Sequence, residues 1–92
     1  MKFMSTWTFQ GGMLSDAATR FLAGEGAPDP GTTLLGRWHN ADLSGGFALY
    51  ETNDPAALYK GALQWADLLE INTVPVVEDA EAGAALATRY KK

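Results

Sequence analysis

Leu34-Leu35-Gly36-Arg37-Trp38-His39 joins a strand pattern to a tryptophan, an arginine and the chain's single histidine. Strand side chains alternate between faces, so Leu34, Gly36 and Trp38 are expected on one face and Leu35, Arg37 and His39 on the other. The first set suits a core. The second bears a charge and a titratable ring, and function is expected on that side.

On the C-terminal side of this strand, which covers about residues 32–39, Asn40 to Gly46 turns the chain. A third strand follows over about 46–52, with Phe47 and Leu49 facing one way and Ala48 and Tyr50 the other. A short connection rich in Gly, Asn and Asp suits a hairpin. On the N-terminal side, Gly24 to Gly31 is a loop, preceded by Leu14, Ala17, Ala18, Phe21 and Leu22 at the spacing of a helix over about 13–23. Residues 2–10 alternate Phe3, Ser5, Trp7 and Phe9 against Met4, Thr6 and Thr8, a first strand rich in aromatic and β-branched residues.

Asp54-Pro55 starts a second helix over about 55–68, an N-cap acceptor followed by a proline that the first turn tolerates. Leu58, Gly61, Ala62, Trp65, Leu68 and Leu69 keep its period. Residues 70–77 read as a fourth strand, and Pro75, which has no amide donor, assigns it to a sheet edge. Glu78-Asp79 open a last, alanine-rich helix anchored by Leu86 and Tyr90, with acidic Glu78, Asp79 and Glu81 in its first turn and Arg89, Lys91 and Lys92 at its end, as the dipole favours.

The order β-α-β-β-α-β plus a C-terminal helix makes residues 1–92 one α+β domain. Right-handed crossovers give a ferredoxin-like antiparallel sheet in the order 4-1-3-2, helices on one face. Leu14, Phe21, Leu58 and Trp65 are expected to be buried between helices and sheet. The other sheet face stays bare on a monomer, and in a domain this small a second copy is expected to cover it or to pair along the sheet edges.

Composition narrows the function. Net charge is −4 and the basic residues are scattered, which excludes a nucleic-acid groove. Gly46-Phe47-Ala48-Leu49-Tyr50 partly echoes an RNA-recognition signature, yet the leading basic residue is missing and Leu49 stands where a stacking aromatic belongs. Without cysteine there is no thiolate chemistry, and His39 has no second His or Cys to share a metal, so no cofactor is expected. The polar N-terminus and the lack of a long apolar run point to a soluble, cytoplasmic protein with no membrane partner.

Beyond these readings, Leu34-Leu35-Gly36-Arg37-Trp38-His39, Gly46-Phe47-Ala48, Asp54-Pro55-Ala56-Ala57-Leu58-Tyr59, Gln64-Trp65-Ala66-Asp67-Leu68-Leu69 and Val74-Pro75-Val76 carry a resemblance over nearly the whole chain. It resembles a family of short bacterial and phage-encoded domains of unknown function that is similar to the dimeric α/β-barrel proteins. Those include small monooxygenases, haem-handling enzymes and muconolactone-isomerase-like proteins. The resemblance implies the same fold and a homodimer, and supplies no activity.

Two functional readings follow. In the first, the chain is a dimeric ligand-binding or assembly domain. Arg37, His39, Tyr50 and, depending on register, Trp7 face a pocket at the sheet face between subunits, open to a small anionic ligand that the arginine fork suits. In the second, the same pocket hosts a cofactor-free oxygenation or isomerisation in which His39 moves a proton. A plainer reading has Arg37 and His39 only pairing with carboxylates such as Glu51 or Glu70 and so holding the dimer together. Binding is favoured over catalysis, since one histidine with no named nucleophile is thin support for an enzyme.

Overall fold

Strand β1 (Lys2–Phe9) lies inside the sheet, antiparallel to β3 (Gly45–Glu51) on one side and β4 (Leu69–Val76) on the other. Strand β2 (Thr33–His39) completes the order β2-β3-β1-β4 by pairing with β3. This is the ferredoxin-like order expected from the sequence, in a computed structural model that describes residues 1–90. Lys91 and Lys92, read above as dipole-complementing cations, lie outside the described residues. Pro75 sits opposite Phe3 on the edge strand β4, where its missing donor faces no further strand.

Helix α1 (Leu14–Arg20) ends in a widened turn over Phe21–Glu25, so the regular helix is shorter than its apolar period suggested. Helix α2 (Pro55–Trp65) begins as its sequence dictates: Asp54 accepts a hydrogen bond from the Ala56 amide at 3.1 Å, with proline in the first turn. Behind it, buried Thr52 donates to the Gly31 carbonyl at 2.7 Å and accepts from the Asp54 amide at 3.0 Å. That hydroxyl joins the end of β3 to the loop before β2. Helix α3 (Asp79–Tyr90) follows β4 and has no buried residue.

Residues directly opposite in an antiparallel pair share a face. Phe3, Ser5 and Trp7 therefore point the same way as Tyr50, Ala48 and Gly46, and as Thr73 and Ile71. Along β2 the register shifts between Leu34 and Gly36, so that Leu34 meets Tyr50, Arg37 meets Ala48 and His39 meets Gly46. This bulge corrects the simple alternation: Leu34 joins Arg37 and His39, Leu35 is the extra residue, and Trp38 turns away. The covered face is also the reverse of the one expected. Both helices lie over Arg37, His39, Trp7 and Tyr50, whereas Trp38 stacks on Phe47 on the open face, their ring centroids 5.3 Å apart.

The core is small: Phe3, Ala17, Ala48, Ala57 and Leu68 are its buried apolar members. Contrary to expectation, Leu14 and Phe21 are 39% and 40% exposed, and Leu58 and Trp65 are only half-buried. Ser5 and Thr73, short side chains on the sheet, border a space that Leu14, Phe21, Leu58 and Trp65 also line, so the helix stripes edge a cavity instead of closing on the sheet.

Arg20 holds the two helices together over that space. Its guanidinium donates to both carboxylate oxygens of Asp67, at 3.0 and 2.9 Å, and to the Gln64 carbonyl at 2.8 Å, and it lies 5.4 Å from the centre of the Trp65 ring. The hydrogen bond from Arg20, and then its charge, hold the Asp67 carboxyl below the usual range, while Asp67 raises Arg20. Because the folded Asp67 pKa is depressed, this tie is present above the ordinary carboxylate range and is lost as pH falls through the depressed value.

Two measurements check these points. Carbon-detected titration of Asp67 should show a midpoint below that of a free aspartate, and Arg20→Gln should return it toward normal; an unchanged midpoint would mean the bidentate contact is not formed in solution. At Gly46, a Cβ would lie 2.3 Å from the Trp38 carbonyl oxygen and 2.6 Å from the Trp7 ring. Gly46→Ala should therefore cost about 1–3 kcal/mol in urea unfolding, the range of an overpacked site. A loss of only a few tenths would show that the ring and strand are free to move aside.

Candidate functional site

The space between sheet and helices is a cavity of about 490 Å³. Trp7, Phe9 and Ile71 form its sheet wall, while Ala17, Phe21, Leu58 and Trp65 supply the helix side. Its polar groups come from different elements, among them Ser5 and Thr73 on the sheet, Arg37 and His39 on β2, Tyr50 on β3, Asp29 in the loop and Gln64 on α2. Ser5 and Thr73 satisfy each other across the strands, their hydroxyls 2.7 Å apart. All four residues singled out in the sequence, Arg37, His39, Tyr50 and Trp7, line this one cavity. It lies within a single chain, not at the sheet face between two.

Trp7 reaches His39 because Gly46, between them on β3, has no side chain. The His39 ring meets Trp7 edge-on at 5.7 Å and 78°, and meets Phe21 at 5.3 Å and 67°. Phe21 comes from the widened turn after α1, which brings its ring over β2. Arg37 completes the cluster: its guanidinium carbon is 5.6 Å from the Phe21 centroid and it donates to the Gly26 carbonyl. Among the described residues Arg37 has no carboxylate partner. Glu51 points to the open face and pairs with the N-terminal amine at 3.0 Å, and Glu70 shares that open face, so among the described residues neither pairs with Arg37 or His39 in the same chain.

Asp29 escaped the sequence reading, which treated Gly24 to Gly31 as loop. Its Oδ1 accepts from Gln64 Nε2 at 3.5 Å, while Oδ2 is buried with no hydrogen-bond partner among the described residues. Gly61 makes this possible, since a Cβ there would lie 3.0 Å from Oδ2. The sequence signal was present in Pro28-Asp29-Pro30, a carboxylate whose backbone is restricted on both sides. The cavity thus combines apolar walls, an arginine without an acidic partner and a carboxylate oxygen without a donor. No group of three or more metal-ligating side chains is gathered among the described residues, and no described helix is long and apolar enough to cross a membrane.

No curated protein matches the chain. Residues 1–90 match the family model described as a domain of unknown function, DUF3303, and with nearly its whole length inside that match the chain belongs to this family.

Proposed function

We propose that this domain is a homodimeric small-ligand-binding module whose cavity takes a largely apolar molecule with an anionic group. Arg37 carries the reading. A half-buried guanidinium is costly to leave without an anion, and here one carbonyl and the face of Phe21 are its only partners among the described residues. An incoming carboxylate would receive two parallel hydrogen bonds from the fork. Trp7, Phe21, Trp65 and Ile71 suit an aromatic or branched apolar body, and a volume of about 490 Å³ falls in the range of small-molecule sites. Asp29 Oδ2 favours a ligand that also carries a hydroxyl or amine donor. We extend the likeness to the dimeric α/β-barrel proteins as part of this proposal, on the shared order of elements.

Thermal unfolding against a panel of aryl carboxylates and medium-chain fatty acids tests the reading. A ligand at a hundred times its Kd should stabilise the parent by about 2.7 kcal/mol. Arg37→Met should lose that stabilisation, while Asp29→Asn should selectively weaken the panel members that carry a hydroxyl or amine. Stabilisation that survives Arg37→Met would remove the anion from the proposal. Turnover of any panel member, abolished by His39→Ala alone, would instead support the cofactor-free oxygenation or isomerisation reading.

A further inference from the structure

Helix α3 stands apart from the rest of the chain. Asp79–Tyr90 has no buried residue, and Ala82, Leu86 and Tyr90 recur every four positions along one face, with Leu86 57% and Tyr90 70% exposed. The molecule is correspondingly drawn out to 54 × 30 × 18 Å, with a radius of gyration of 15.6 Å against about 12 Å for a compact chain of this length. Its accessible surface is 6456 Å² for 9.9 kDa, where a compact monomer would show roughly 5,200 Å². A second surface is also unpartnered: the open sheet face, where Trp38, Phe47 and Val74 are 50%, 38% and 44% exposed.

We infer that α3 is an arm that lies on the open sheet face of a second copy, which returns its own arm. This deepens the homodimeric part of the proposed function and does not depend on the ligand. Each chain presents one arm without a bed and one bed without an arm, and a two-fold exchange satisfies both with the same contact used twice. The excess surface, on the order of 1,200 Å² per chain, exceeds the roughly 800 Å² that each partner gives to a stable interface. The arm's own sheet is a poor bed. Glu78, just before α3, pairs with Lys2 at one end of β1, whereas Trp38 lies on the far edge strand β2 and Phe47 beside it on β3, both toward the opposite end of the strands.

Light scattering of the full chain at micromolar concentration should give twice 9.9 kDa. Leu86→Asp combined with Tyr90→Asp changes only exposed positions, so circular dichroism should stay native while the dimer weakens at least about tenfold, a loss of 1.4 kcal/mol or more. The chain has no cysteine, so placed thiols report on the bed directly. Chains with Leu86→Cys, mixed with chains carrying Phe47→Cys, should join across chains under a short thiol-to-thiol crosslinker. A single-chain mass overturns the inference, and so does a dimer indifferent to the arm substitutions. A link formed within one doubly substituted chain, diluted until only monomer remains, would assign the arm to its own sheet and also overturn it. A single-chain mass also removes the homodimeric part of the proposed function, whereas a dimer indifferent to the arm leaves that part standing, and none of these outcomes bears on ligand stabilisation.

Discussion

Across the middle of the sheet, Ser5, Ala48 and Thr73 stand side by side on the face that the helices cover, with Gly46 one step further along under the Trp7 ring. Gly46 and Ala48 are themselves buried, while Ser5 and Thr73 border the cavity. A sheet and helix layer normally close against each other through interdigitating aliphatic side chains at crystal-like density. Here that contact is missing at the centre, and the layers are held at the margins instead. Thr52 ties the start of α2 to the loop before β2, and Arg20 fastens the end of α1 to the end of α2. Ser5 and Thr73 give the cavity a floor of short side chains, and Leu14 and Phe21 border it half-exposed.

Such an arrangement gives up core stability, since the burial of large apolar side chains is the main favourable term in folding. What stands in the vacated space is chemically pointed. Among the described residues Arg37 has no acidic partner and Asp29 Oδ2 no donor, although both sit against apolar walls where unpaired polar atoms are costly. Rules of packing and polar satisfaction tend to be broken together where a protein does something other than fold. The bulge in β2 belongs to the same pattern, because the extra residue re-aims the strand so that Leu34, Arg37 and His39 share the covered face.

The two faces of the sheet thus play different parts. The covered face borders an internal space with polar groups from different elements. The open face is apolar around the stacked Trp38 and Phe47, and helix α3 projects without burying any residue of its own. A domain of this length has little interior to spare, so surface left uncovered on one side weighs heavily in its stability.

Much of the architecture was determined by local sequence. Asp54-Pro55 sets the start of α2, Pro75 assigns β4 to an edge, and the alternation of Phe3, Ser5, Trp7 and Phe9 marks β1, because caps, missing donors and period-two patterns act over a few residues. The order of elements followed from these, and the candidate residues Arg37, His39, Tyr50 and Trp7 were likewise readable from their chemistry. Tertiary structure alone decided which face they occupy. Alternation separates two faces without saying which one the helices take, and a single extra residue in β2 changes the phase partway along. Only the folded chain brings Asp29 and Gln64 from a loop and a helix to the same cavity as Arg37. Their proximity depends on how far the helices stand from the sheet, a distance set by packing across the whole domain and by no stretch of sequence read alone.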